Sequence, residues 1–201
     1  YVHTFDKCFF MPSDLTAGLE YNRDRLKDNM WGYDRHTDQT VNIYSAFLQN
    51  EWKNDRWGIL IGGRLDKHNL IDHIIFSPRA NLRFNPTQNI NLRLSYSSGF
   101  RAPQAFDEDM HIENVGGTVA MIERAKDLKE EKSQSFSVSA DMYHRFGAFQ
   151  TNLLIEGFYT RLTDVFVLGK PYDRGDGILV KTRSNGPGAK AVSYTHLRAH
   201  E

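Results

Sequence analysis

Apolar and polar residues alternate along this chain in one long segment after another, and that alternation admits few folds. Ile90, Leu92, Leu94 and Tyr96 share one parity, while Asn91, Arg93, Ser95 and Ser97 share the other. A β-strand turns successive side chains to opposite faces, so this segment has one apolar wall and one wet, charged wall. Trp57, Ile59, Ile61, Gly63 and Leu65 repeat the pattern against Arg64 and Asp66. Ile74, Phe76, Pro78, Ala80, Leu82 and Phe84 repeat it against Ser77, Arg79, Asn81 and Arg83. Each run is about 12 residues long, against a usual strand mode of about 5–6, and so is long enough to cross a bilayer. The expectation is an all-β fold, a transmembrane antiparallel β-barrel. A soluble antiparallel sheet also has one solvated face, but a sandwich would bury arginines at high cost.

Bulk properties are compatible with this. Among 201 residues, 25 Lys and Arg balance 25 Asp and Glu, so no net charge draws the chain to nucleic acid. A mean hydropathy of −0.55 and the lack of any run of about 18 apolar residues exclude a transmembrane helix. Neither bears on a barrel, whose strands keep half their side chains in a polar interior. The single cysteine, Cys8, rules out an intramolecular disulfide or a zinc–cysteine cluster and reads as a small apolar side chain. Tyr1–Asp6 is not a basic region followed by an apolar one, so any export signal is expected upstream.

Strands are expected at about 14–25, 39–53, 56–67, 73–84, 89–100, 133–146 and 149–163, with a short one near 178–183. The 39–53 strand fits poorly, because Ile43 and Phe47 fall on the wet parity. Connections are tight at 54–55, 85–88 and 147–148, and longer at 26–38, 68–72, 101–131 and 169–177. Outer-membrane barrels alternate short periplasmic turns with long external loops. Trp52, Trp57, Phe84, Phe146 and Phe149 gather at the short-turn ends, as an interfacial aromatic girdle would.

The segment Tyr96-Ser-Ser-Gly-Phe-Arg-Ala-Pro103 resembles a late-barrel signature of TonB-dependent outer-membrane receptors, Y-x-x-G-F-R-A-P, which climbs into a large external loop. The family re-enters the membrane after L-K-P-E-x-S, and Leu128-Lys-Glu-Glu-Lys-Ser133 is similar, with Glu130 where proline is usual. Asn185-Gly-Pro-Gly-Ala-Lys190 looks like the approach to the next strand. The resemblance covers about 14–190. It implies a barrel of about 22 strands, of which roughly eight are here. It also implies a bacterial outer-membrane location, a plug domain, and an upstream TonB box through which TonB powers import of a ligand. Ferric siderophore, haem, cobalamin and glycan are the cargo classes to weigh. No enzyme activity, catalytic residue, cofactor or resident metal is expected.

Candidate site residues follow from position. Asp107, Glu108, Asp109, His111 and Glu113, with Arg101, sit in the long 101–131 stretch. Hard oxygens beside an imidazole can hold a cation, but no metal-site spacing matches; ligand contact from a functional loop or plain solvation are the other readings. Arg64, Arg79, Arg83, Arg93 and Arg101 fall on lumen parity. They read either as a wall attracting an anionic ligand or, preferably, as partners of plug carboxylates or of Glu20, Asp66, Asp141 and Glu156 across strands. Tyr172–Gly177 invites a calcium reading, yet Gly/Asp loops are commonly turns.

Residues 1–191 are read as part of one barrel domain. Ser193–Glu201 drops the strand pattern, so 192–201 is read as a non-native tail, and the His196/His200 pair is set aside. The alternatives are a passive porin-like channel, without plug or TonB box, and a soluble β-sandwich binding module. The outward apolar set should meet outer-membrane lipid.

Overall fold

The computed structural model describes residues 1–105, 113–115, 118–147, 149–175 and 177–195. Nine strands form one antiparallel sheet in nearly sequential order. They are β1 (Val2–Cys8), β2 (Met11–Met30), β3 (Arg35–Lys53), β4 (Trp57–His68), β5 (Ile74–Thr87), β6 (Ile90–Arg101), β9 (Glu131–Phe146), β10 (Phe149–Thr163) and β14 (Ala189–Thr195). The sheet is open, with β1 and β14 at its edges. The other strands, β7 (Glu113–Val115), β8 (Thr118–Arg124), β11 (Phe166–Leu168), β12 (Tyr172–Asp173) and β13 (Leu179–Asn185), form a second sheet.

Register carries the alternation from strand to strand. One cross-strand row reads Phe5, Ser13, Trp52, Ile59, Leu82, Leu94, Val138 and Gly157. The next row, one residue along, reads Thr4, Asp14, Glu51, Leu60, Asn81, Ser95, Ser137 and Phe158. A slip of one residue in any pairing would send a polar set to the apolar face, so register is strongly specified. The apolar face is bare: Leu19 is 87% exposed, Phe76 61%, Val138 57% and Ile61 56%. A continuous apolar surface of this kind needs lipid.

Aromatics bound that face at both ends. At the short turns, Trp57 stacks on Phe84 at 4.2 Å, Phe10 on Trp52 at 5.8 Å, and Phe146 faces Phe149 across its hairpin. At the opposite end Tyr21 stacks on Tyr44 at 4.8 Å and Tyr96 leans on Phe136 at 4.8 Å. On β4 about ten residues separate the two levels, the number a tilted strand needs to cross the hydrocarbon. The short turns are locally specified. Asn54 Oδ1 accepts the amides of Arg56 and Trp57 at 2.9 and 2.7 Å, and Gly147 supplies the φ of +59° that ends β9.

Several expected elements differ. Residues 26–38 are not a loop: β2 and β3 run on to Met30 and from Arg35, joined by one 3-10 turn at Trp31–Tyr33 and by Asp34 at φ +47°. Above the bilayer both faces of a strand are wet, so hydropathy stops alternating while pairing continues. The strand near 178–183 exists as β13 but belongs to the second sheet, not the barrel wall. The wall strand β1 stands outside the expected set, while β14 is the strand into which the 185–190 approach leads. β14 pairs with β10 as far as Thr195, so 192–195 continue a barrel strand, while 196–201 lie outside the described residues.

Candidate functional site

Arg64 is held by three partners on the polar face. It donates to Glu20 Oε2 at 2.8 Å, to Asp66 Oδ1 at 2.8 Å and to Ser45 Oγ at 2.7 Å. Ser45 Oγ in turn donates to the buried Asp66 at 2.6 Å. Its guanidinium is therefore more than offset by two carboxylates and adds no positive charge to the wall. Arg83 donates to the Asn54 carbonyl at 3.1 Å and lies over Gly58 near the short turn. It stands directly opposite Arg93, a like-charge pair that cross-strand electrostatics disfavours. Among the described residues, neither Arg79 nor Arg93 has a carboxylate within ion-pair distance. Arg79 and Arg64 border a hollow of about 480 Å³ with Gln49, Ser77, Ser97 and Ser98. The polar face thus divides into an Arg64 network, in which carboxylates outnumber the cation, and a positive strip of Arg79, Arg83 and Arg93.

Loop residues pack on this face at the long-loop end. Ile71, Ile75 and Ala102 form a buried cluster joined by Phe100. The buried His68 accepts the Leu70 amide on Nδ1 at 3.0 Å, which leaves Nε2 to donate towards Gln104 Oε1 at 3.4 Å. Gln39 Oε1 accepts the Ala105 amide at 2.8 Å. The Phe100–Ala105 stretch, which ends the signature and runs two residues past it, therefore folds inward and rests on the tops of β3 and β4.

The two long external connections are one structure. β13, from the β10–β14 connection, pairs in parallel with β8, from the β6–β9 connection, across Leu179–Ala120 to Arg183–Arg124. Ala120, Met121, Ile122 and Val180 give this sheet its own core, with Val180 at 0% exposure. Asn185 clamps the loop bases: it donates to the carbonyls of Lys129 at 3.0 Å and Asp164 at 2.8 Å, and accepts the Lys129 amide at 2.7 Å. Glu131 Oε2 accepts the Phe166 amide at 2.9 Å, and the Arg101 guanidinium lies 5.5 Å over the Phe166 ring. Arg101 thus has an aromatic partner within the protein. Asp107, Glu108, Asp109 and His111 lie outside the described residues, and Glu113 starts β7. Within 172–177, the Gly175 amide bonds Asp173 Oδ1 at 2.7 Å, the local closure of a turn.

Glu130, where the resembling signature has proline, is buried between His73 Nε2 at 3.1 Å and Lys132 Nζ at 3.0 Å. Burial alone raises its pKa, but the Lys132 hydrogen bond, its own backbone amide and the nearby charges of Lys132 and His73 outweigh this, and the pKa is lowered. The clasp spans a gap in the wall. β5 and β6 stop pairing above Arg79 and Ser97, leaving a hollow of about 340 Å³ between 73–78 and Ser98, Gly99 and 132–134. Glu130 and the Asn185 clamp have no signature in composition or periodicity, since both act between distant loops. Among the described residues, no group of three His, Cys, Asp or Glu could hold a metal ion.

Residues 2–192 match the family described as "TonB dependent receptor-like, beta-barrel". The siderophore receptor PirA of Pseudomonas aeruginosa superposes with a TM-score of 0.79 at 16% identity, over 95% of this chain and 37% of its own. A variant of the ferric enterobactin receptor PfeA of the same species gives 0.73 at 17%, over 96% and 32%. In sequence, the chain is 24% identical over 188 residues to the "Probable hemoglobin and hemoglobin-haptoglobin-binding protein 3" of Haemophilus influenzae, covering 92% of this chain and 16% of that protein. This chain therefore spans about a third or less of the length of these relatives. Its place is the bacterial outer membrane, and it belongs to the TonB-dependent receptor family, as part of the β-barrel domain.

Proposed function

We propose that this chain is part of the wall of an outer-membrane importer that takes up an iron-bearing anionic nutrient, of the ferric siderophore or haem class, with TonB supplying the energy. The observation that carries the cargo charge is the strip of Arg79, Arg83 and Arg93, which the carboxylates of the described wall leave uncompensated while they neutralise Arg64. The names of PirA, PfeA and the haemoglobin-binding protein favour iron over cobalamin or glycan. In this reading the joined loop sheet contacts ligand first. Arg101 orders the loop base through Phe166, and Asp107, Glu108, Asp109, His111 and Glu113 belong to the ligand-facing loop. The family is one of transporters, and the reading assigns no chemistry to any side chain.

The experiment is uptake by cells carrying the complete gene, grown with ferric siderophore or haem as sole iron source, with and without a protonophore or a functional TonB. Energised import predicts growth and uptake that stop without either. Uptake that continues unchanged would make the protein a passive channel. Residues 1–191 are proposed as barrel domain and 192–201 as a foreign tail, of which 192–195 pair with β10. Reading the gene through codon 192 tests this: continuation of the same residues in the source genome would make the tail native.

A further inference from the structure

The ladder between β5 and β6 stops at Arg79 and Ser97. Above that pair each strand keeps only its other neighbour: β5 stays on β4 up to Ile74, and β6 stays on β9 up to Arg101. Pro78, the next residue of β5, has no amide to give a ladder. Gly99 leaves the facing stretch of β6 without a side chain at that point. The wall is therefore split, with 74–78 on one side and 98–101 on the other. The clasp of Glu130 with His73 and Lys132 crosses the top of this split.

A hollow lies on each face of the split. The one of about 480 Å³ opens to the lumen, with Gln49, Ser97 and Arg79 on its rim. The one of about 340 Å³ opens outward between Ile74, Phe76 and Tyr96. The two share Ser77 and Ser98, just above the last ladder pair. The outer mouth sits at the upper aromatic level, where Tyr96 leans on Phe136 at 4.8 Å and where Ile74 and Phe76 are each 61% exposed. Both cations near that mouth, His73 and Lys132, are taken by Glu130, so the outer end presents apolar surface. Arg79, at the lumen end, has no carboxylate within ion-pair distance among the described residues. A free cation inside, a polar neck and an apolar mouth at the leaflet repeat the order of head, neck and tail in an anionic amphiphile. We propose that the split seats an amphiphilic cargo, with its anionic iron-bearing head on Arg79 and a single apolar tail passing between Ser77 and Ser98 onto Ile74, Phe76 and Tyr96. Charge complementarity places the head, and the tail leaves sideways because only the outer mouth offers it apolar surface. The proposal rests on the import reading and narrows its cargo to an acylated iron chelator.

The test is photolabelling of the complete receptor in phosphatidylcholine vesicles with dodecanoate carrying a terminal diazirine, the simplest anionic head and tail, and labelled peptides are read by mass spectrometry. The expected label is saturable and falls on 74–78 and 98–99. Loss of a charge-assisted contact means that R79Q should need at least about tenfold more probe, while R79K should label as the natural receptor does. S98F, which fills the point where the hollows meet, should lose the label while keeping the heat-modifiable mobility of a folded barrel. The matching neutral probe, diazirine-dodecanol, should label the natural receptor no better than dodecanoate labels R79Q. Equal labelling in R79Q would overturn the proposal, since the tail would then have entered from the bilayer without its head on Arg79. Iron uptake by the natural receptor, with and without a functional TonB, separates this from the import reading. TonB-dependent uptake without saturable label would overturn the tail port alone. Saturable, Arg79-dependent label without such uptake would leave the amphiphile site standing and remove the import reading.

Discussion

The ring of Phe47 lies across the backbone of Gly18 on the adjacent strand, in the space a Cβ at Gly18 would fill. This explains an aromatic residue on the polar face: it covers a glycine whose pleat would otherwise be bare. The two positions should fail together. Gly18→Ala forces the ring from its place and should cost about 1–3 kcal/mol, as overpacking does. Phe47→Ala uncovers the half-buried hollow and should cost about 1–2 kcal/mol, less than a full core truncation. Gly32→Ala, where nothing lies within 4 Å, is the control and should be near neutral. Urea unfolding of the complete barrel in detergent, followed by heat-modifiable gel mobility, checks all three. A Gly18→Ala midpoint equal to that of Gly32→Ala would refute the packing account.

Arg64 and Asp66 make the second prediction. Arg64→Gln removes the cation from a carboxylate that is only 4% exposed and leaves it with Ser45 alone. An underpaired buried acceptor costs about 1–3 kcal/mol, and more when charged. Adding Asp66→Asn should restore much of that loss, and the non-additivity in a double-mutant cycle is the measurement. Because Glu20 and Asp66 already more than offset the Arg64 charge, Arg64→Gln should alter stability more than ligand affinity, whereas Arg93→Gln should do the reverse. Equal affinity losses in both would mean the wall acts as one electropositive surface.

Much of this wall was legible in the sequence because a barrel repeats one physical rule. Seven of its strands, its tight turns at Asn54 and Gly147 and the lower girdle around Trp57 and Phe84 follow from alternation, turn chemistry and the interface preference of aromatic rings. That rule fails where its cause stops. Past Tyr21 and Tyr44 there is no hydrocarbon, so the β2–β3 hairpin looked like a loop, although the charge alternation of Arg23–Asp28 carried the same period. Ile75, on the polar face, belongs to the loop core with Ile71 and Ala102 and obeys a burial rule instead. The β8–β13 pairing joins residues about sixty positions apart through two connections, and no local pattern encodes it.

Asn185 gives the third prediction. Its side chain makes three hydrogen bonds that hold the base of one external loop to the base of the other. Asn185→Asp keeps an acceptor for the Lys129 amide but loses both donated bonds and sets a charge against two carbonyls. Asn185→Leu loses all three. Both should raise amide hydrogen exchange in 120–124 and 179–183 together, because those segments are paired. Exchange that rises in only one of the two would show that the β8–β13 sheet is not held as a unit.

The clasp of Glu130 with His73 and Lys132 gives the last prediction, a dependence on pH. The Glu130 carboxyl is held below its ordinary value of 4.5 despite burial, so the folded state prefers the charged form. A group with a depressed folded pKa contributes stability above its unfolded pKa and loses it as pH falls through the folded one. The clasp should therefore be intact at neutral pH and persist down to the ordinary carboxylate range, opening only below it. Spin labels at positions 72 and 127 of the complete receptor report the closure across the gap between β5 and β9. Their distance distribution should be narrow at pH 7 and broaden well below pH 4.5. Glu130→Gln should be broad at every pH, since a neutral amide attracts neither Lys132 nor His73 as a charge. Glu130→Pro, which restores the residue usual in the resembling signature, should also lose the pH response. A natural receptor with the same narrow distribution at both pH values would show that other contacts, such as the Glu131–Phe166 bond, close the gap without Glu130.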